Sequence, residues 1–200
     1  MKMKIVLFDL WDTLAKKPYS IVNSLIQHFD LSYDRSLLRP YYEDVVQTKE
    51  WESDEAMARA LLEAISVRPT QEHIAFVVQT IARAGEEAYF IDGQSELLKV
   101  LKTTYTLALI SNTTKLELLS ADKHLHVLSH FDHRFLSYET GLIKPHPALF
   151  MQVLKVLGVR PSDILFVDDT FENIARAQRL GMHTHHFKDA ALLRKALHLE

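Results

Sequence analysis

The chain predicts an α/β fold: a parallel sheet flanked by helices, with an all-helical segment inserted after the first strand. Three observations carry this reading. Short apolar runs recur at Ile5–Phe8, 107–110 and 164–167, with a weaker one at 183–187. Helical patterns lie between them, and strand–helix alternation builds a parallel sheet. Residues 15–91 differ, showing helical periodicity without a convincing strand.

The first strand, Ile5–Phe8, is a continuous apolar run of the kind buried inside a sheet. The insert then repeats apolar residues at helical spacing: Ile21, Val22, Leu25 and Ile26, then Met57, Leu61 and Ile65, then Ile74, Val77, Val78 and Ile81. Ser20, Ser53 and Thr70 stand where helix N-caps belong. Connectors fall near Lys16-Lys17-Pro18 and Phe90-Ile91-Asp92-Gly93. Residues 1–14 and 92–200 are thus expected to form the sheet-bearing core.

In that core a helix around residues 95–101 precedes the second strand, and a short strand is expected near Phe135-Leu136. Pro147 suits the first turn of the next helix and Gly158 its end. The strand at 164–167 leads to a helix over 171–180 that stops at Gly181. Right-handed crossovers align all strand C-termini on one edge. That edge collects Asp9, Ser111, Asp168 and Asp169, and the helical insert is expected to stand over it.

Composition narrows the function. With 48% hydrophobic and 24% charged residues, 200 residues can bury a sizeable core. A formal charge of −3 without a basic block argues against a nucleic-acid partner. No apolar stretch approaches a membrane span, and Met1-Lys2-Met3-Lys4 runs into a strand rather than a signal peptide. The absence of cysteine excludes disulfides, a thiol nucleophile and thiolate metal sites. These features fit a cytoplasmic protein. The 11 histidines lack the partner carboxylates a zinc site wants and read as surface or packing residues. No heptad or other self-association signal is evident, so the oligomeric state stays open.

Chemistry is suggested by four polar constellations in one order. Asp9 closes the first strand, where open α/β sheets place ligands, and a carboxylate there can attack to form a covalent aspartyl intermediate. Ser111-Asn112 follows the second apolar run, Lys144-Pro145 comes next, and Asp168-Asp169 follows the third run. Singly, each has an ordinary role as turn, solvated loop or helix cap. Jointly and in order, they point to one site.

Through these residues the chain resembles the haloacid dehalogenase-like hydrolase superfamily. The match runs through Phe8-Asp9-Leu10-Trp11-Asp12-Thr13-Leu14, Leu109-Ile110-Ser111-Asn112-Thr113, Gly141-Leu142-Ile143-Lys144-Pro145 and Phe166-Val167-Asp168-Asp169-Thr170. The resemblance implies a Rossmann-like core with a helical cap, and a Mg²⁺-dependent hydrolase of a small phosphorylated molecule. It implies Asp9 as nucleophile, Ser111 holding a phosphoryl oxygen and Lys144 neutralising the substrate. Mg²⁺ would be held by Asp9, the backbone carbonyl of Trp11, and the acidic pair, Asp169 before Asp168. Asn173 would orient that region. Asn112, beside Ser111, and Arg39, in the insert, are candidates for substrate contact. A cation between a carboxylate nucleophile and a phosphate dianion is also what electrostatics requires, and Mg²⁺ needs only one or two carboxylates besides substrate and water.

One position departs from the pattern. Phosphatases of this superfamily carry a second Asp two residues after the nucleophile as general acid–base; here that residue is Trp11. Asp12 lies one residue further, where strand alternation turns it from the face of Asp9 unless the loop re-aims it. Its ordinary reading is a turn carboxylate. Two other chemistries also lack that Asp. Metal-independent 2-haloacid dehalogenases resemble the chain in their aromatic residue there, with Arg39 a loose counterpart of their halide-assisting arginine, but they lack the acidic pair. A Schiff-base hydrolase would need a lysine in the insert, for which Lys49 is the candidate. A third alternative is a catalytically impaired relative that binds a phosphometabolite.

Overall fold

The structure, a computed structural model, describes residues 4–32 and 34–197; the chain start, expected to lack a signal peptide, includes residues 1–3, which lie outside that range. The apolar runs assemble into one sheet of five strands: β1 (Ile5–Phe8), β4 (Thr106–Ser111), β5 (His133–Leu136), β6 (Ile164–Asp168) and β7 (His183–His186). Their order is β5-β4-β1-β6-β7, and every pair is parallel. β1 lies at the centre, which is why all four of its residues are buried. Alternation along the strands divides the core. Val6, Phe8, Leu107 and Leu109 face one apolar cluster, and Ile5, Leu7, Ala108 and Ile110 face the other.

Between β1 and β4 lie α1 (Ile21–His28), α2 (Arg35–Val46), α3 (Asp54–Ala64) and α4 (Gln71–Glu86). They enclose a third apolar cluster that includes Leu25, Leu38, Leu61, Val77 and Ile81. The three expected N-caps are formed: Ser20, Ser53 and Thr70 accept from the backbone N–H of Asn23, Ala56 and His73. The strand-free expectation for residues 15–91 needs one correction. β2 (Ala15–Lys16) and β3 (Tyr89–Phe90) pair antiparallel at the two ends of the insert. Strands of two residues are too short for alternation to be read from sequence. The short strand expected at 135–136 begins earlier, at His133.

The remaining helices are α5 (Gln94–Lys102), α6 (Lys115–Leu125), α7 (Ser137–Thr140), α8 (Pro147–Leu157), α9 (Phe171–Arg179) and α10 (Ala190–Ala196). α4 of the insert packs directly on α6 of the core, and Gly85 lies in that contact. A Cβ there would lie 2.3 Å from the Glu117 carbonyl oxygen and 2.8 Å from Ser120 Cβ. Gly85→Ala is therefore expected to destabilise by about 2–3 kcal/mol, despite alanine's better helix propensity, because a backbone carbonyl cannot step aside. Urea denaturation measures this; a stabilised variant would show that the two helices separate freely. No helix among the described residues is long and apolar enough to cross a membrane.

Candidate active site

The parallel ladder extends one residue past β1: Asp9 N–H donates to the Val167 carbonyl at 2.9 Å. This holds the Asp9 carboxylate at the C-terminal edge, beside the end of β6. Lys144, from the loop before α8, reaches the same point. Its Nζ lies 2.5 Å from Asp9 Oδ1 and 2.7 Å from Asp168 Oδ2. Asp9 and Lys144 are only 6% and 5% exposed. Carboxylate oxygens of Asp9, Asp168 and Asp169 lie within 4.8 Å of one another.

Burial sets the electrostatics. It pushes the Asp9 carboxyl up to about 8; Lys144 opposes the rise, while Asp168 and Asp169 add to it. Burial works against the Lys144 ammonium, but Asp168 and Asp9 outweigh it and raise its pKa above the ordinary lysine value. Asp169 is also raised, by burial and then by Asp168. With all four groups ionised, three carboxylates and one ammonium carry a formal charge of −2. A buried cluster of that sign calls for a cation.

The two members of the acidic pair differ. Both oxygens of Asp168 are already occupied: Thr170 N–H donates to Oδ1 at 2.8 Å, Lys144 donates to Oδ2, and the Asn173 amide reaches both at 3.0 Å. Asp168 thus organises the loop, and Asp169 is the member with side-chain oxygens to offer. Asp169 is positioned through its backbone. Its N–H donates to Thr13 Oγ1 at 3.1 Å, and its carbonyl accepts from His186 Nε2 at 2.8 Å. Neither support was legible in the sequence, since both join residues far apart in the chain.

The other predicted residues separate into two groups. Ser111 sits at the end of β4, and its Oγ is buried with no hydrogen-bond partner among the described residues. Asn112 lines the cleft, but its side chain is engaged with the lysine loop. Oδ1 accepts from Lys144 N–H at 2.8 Å, and Nδ2 donates to the Lys144 carbonyl at 3.1 Å. It therefore positions Lys144. Asp12 adopts φ 62° and donates its N–H to the Ala15 carbonyl at 2.8 Å; it is exposed in this turn and lines the cleft with Asp9 and Asp169.

Trp11 is buried, and its indole N–H donates to Thr113 Oγ1 at 3.3 Å. Lys17 lies over the ring, 4.5 Å from its centroid, and pairs with the buried Glu117 at 2.6 Å. The ring is thus anchored toward the start of α6. Its backbone carbonyl accepts no hydrogen bond among the described residues. The hard oxygen set of Asp9, Asp169 and this carbonyl fits Mg²⁺.

A cleft of about 380 Å³ opens above these groups, between core and insert. Asp9, Asn112, Lys144 and Asp169 line it from the core; Arg35, Arg39, Tyr42 and Glu43 line it from α2. Arg39 reaches the cleft but is paired with Glu43 at 2.7 Å and largely exposed. Lys49 lies 3.7 Å from the centroid of the Trp51 ring and does not line the cleft.

At the C-terminal edge of a Rossmann-like sheet with a helical insert, the chain thus carries a cluster of three aspartates and a lysine. The haloacid dehalogenase-like hydrolase family matches residues 3–181, and the chain belongs to it. Among curated relatives, it is 34% identical to the D-ribitol-5-phosphate phosphatase of Bacteroides thetaiotaomicron over 105 residues, covering 48% of this chain and 50% of that protein. Matches to curated relatives cover 10% to 50% of those proteins' own lengths.

Among solved structures, a B. thetaiotaomicron enzyme of the same family, in complex with magnesium and inorganic phosphate, superposes with a TM-score of 0.70 at 21% identity. That match covers 94% of this chain and 96% of that one. The L-2-haloacid dehalogenase of Xanthobacter autotrophicus superposes at 0.61 with 19% identity, covering 98% and 83%. The shared fold therefore includes an enzyme solved with magnesium and phosphate and a dehalogenase.

Proposed function

We propose that this protein is a Mg²⁺-dependent phosphatase acting on a small phosphorylated molecule through an aspartyl-phosphate on Asp9. Residues 15–91 serve as a cap over a core of residues 1–14 and 92–200. The observation that carries the reading is the buried acid cluster. Without a metal, an anionic haloacid would be repelled by the net negative charge of Asp9, Asp168, Asp169 and Lys144, whereas a divalent cation cancels that charge and leaves the cleft open to an anion. Bound Mg²⁺ would be held by Asp9, Asp169 and the Trp11 carbonyl, and would stabilise the ionised Asp9 and the phosphoryl oxygens.

The residues then divide the work. A carboxylate oxygen of Asp9 attacks phosphorus and the ester P–O bond breaks, leaving an aspartyl-phosphate and an alkoxide. Lys144 holds Asp9 in place and offsets charge on the phosphoryl group, and Ser111 Oγ donates to one of its oxygens. Water then attacks phosphorus, releasing inorganic phosphate and restoring Asp9. With Trp11 turned toward Thr113, that position supplies no proton to the alkoxide, which takes one from solvent. The loss of general acid help, typically about 10²–10⁴-fold, falls on poor leaving groups.

The test is phosphate release from an aryl phosphate and from an alkyl phosphate, each with Mg²⁺ and with EDTA. Expected are Mg²⁺-dependent turnover and an aryl preference of about 10²-fold or more. Absence of Mg²⁺-dependent release from either would reject the reading, and EDTA-resistant chloride release from 2-chloropropionate would put the dehalogenase in its place. Ser111→Ala is expected to lower kcat/KM by about 10–100-fold, the cost of one charge-stabilising donor. Its melting temperature should not fall, because the hydroxyl has no partner to lose. A large loss of stability would mean that Ser111 is structural.

A further inference from the structure

One face of α2 and its C-cap residue carry a group of polar side chains that the reaction above does not use. Arg35, Arg39, Glu43 and Gln47 recur at intervals of four and, with Tyr42, line the cap side of the cleft. Tyr42 and Gln47 are only 4% and 5% exposed. Yet the Tyr42 hydroxyl and the Gln47 carbonyl oxygen have no hydrogen-bond partner among the described residues. Two buried polar atoms without partners on one cleft wall are costly, unless a ligand completes them.

We infer that Tyr42 and Gln47 form the subsite for the non-phosphorylated end of the substrate, and that this end carries neutral hydroxyl groups. The inference rests on the phosphatase reading of the cleft and specifies its substrate class. Gln47 Oε1 can only accept, so it needs an O–H or N–H from the ligand. A carboxylate or second phosphate could be drawn to Arg35 and Arg39 but has no hydrogen to donate and would leave Gln47 Oε1 unpaired. An amine would meet Lys17, Arg35 and Arg39, which line the same cleft. An alkyl group would leave both atoms unpaired. A hydroxyl satisfies Gln47 as donor and Tyr42 as either partner. Burial and the nearby Glu117 and Glu43 hold the Tyr42 phenol well above its ordinary range, so it keeps its proton to donate.

The experiment is calorimetric binding to Asp9→Asn protein in Mg²⁺, so that probes survive. Erythritol 4-phosphate is compared with n-butyl phosphate, which has the same carbon chain without hydroxyls. The polyol phosphate is expected to bind at least about tenfold tighter, one good hydrogen bond's worth. Tyr42→Phe and Gln47→Leu are each expected to cut that ratio several-fold. Equal affinities for the two probes, as when buried waters already satisfy both atoms, overturn the inference. So do variants that weaken both probes alike and leave the ratio intact, the signature of a structural role. If wild-type protein hydrolyses an aryl phosphate but the probes bind equally, the subsite fails and the phosphatase stands. If the polyol is preferred but no ester is ever cleaved, the subsite stands and the phosphatase fails. Binding of neither probe rejects the subsite.

Discussion

Asp9→Asn is expected to abolish turnover and, in metal-free buffer at pH 8, to make the protein more stable. The first effect follows from the role of nucleophile: an amide cannot form the acyl-phosphate, and a loss of at least about 10³-fold is expected. The second follows from burial. Burial pushes the Asp9 carboxyl up to about 8 in the folded protein, well above the ordinary carboxylate value of about 4 in the unfolded chain. Between those values the unfolded chain has already lost the proton that the folded chain keeps. The unfolded state therefore binds fewer protons, and stability falls as pH rises from about 4 to 8. Asparagine removes this proton linkage. A gain of about 1–3 kcal/mol at pH 8 is expected, part of the burial cost being offset by Lys144 in the wild type. Added Mg²⁺ should stabilise the wild type more than the variant, reversing the order. Urea titrations at pH 5 and pH 8, with and without Mg²⁺, measure all of this. Retained turnover in Asp9→Asn would remove Asp9 from the chemistry.

Lys144→Met keeps the volume but takes away the charge that two buried carboxylates share. Asp9, Asp168 and Asp169 then face one another without a fixed cation. Breaking a buried pair in this way typically costs about 3–5 kcal/mol, and that loss is expected near pH 8 without metal. The sign with pH is definite. Removing the ammonium raises the Asp9 and Asp169 carboxyls further in the folded state, so the deficit grows as pH climbs above the unfolded carboxyl range and shrinks in acid. Activity is expected to fall about 10²–10³-fold, because the phosphoryl group loses one point charge. Mg²⁺ should recover part of the stability but not the activity. A variant as stable as wild type at pH 8 would mean that the three carboxylates are not ionised together.

Both expectations concern residues that the sequence marks clearly. Asp9, Ser111 and Asp168-Asp169 end apolar runs or follow them directly, so period and punctuation place them on one edge, whereas Lys144 follows no such run and is marked by the family resemblance. Ser20, Ser53 and Thr70 were legible for the same reason, since an N-cap is a local hydrogen bond between residues three apart. The β2–β3 ribbon was not, because pairing of Ala15 with Phe90 leaves no trace in either short segment.

The roles within the site were less legible than its membership. Asn112 reads as a substrate contact from its place beside Ser111, yet its amide closes a pair of hydrogen bonds on the Lys144 backbone. Asp169 reads as the likelier ligand with Asp168 beside it, but the sequence does not show that donors from Lys144, Thr170 and Asn173 already occupy Asp168. Thr13, which the sequence marks only as a member of the first motif, accepts from the Asp169 backbone N–H.

The linear order of residues is sufficient to place the polar groups that end the strands and the edge on which they gather, because strand ends are local and parallel crossovers keep one hand. What it leaves open is where each side chain finds its partner. The Trp11 ring turns to Thr113, 102 positions away, and Tyr42 and Gln47 meet the cleft only once α2 is packed over the core. Long-range hydrogen bonds and burial depend on distances that exist only after the chain has closed on itself, so the supports of the site and the character of its cap-side wall belong to the tertiary structure.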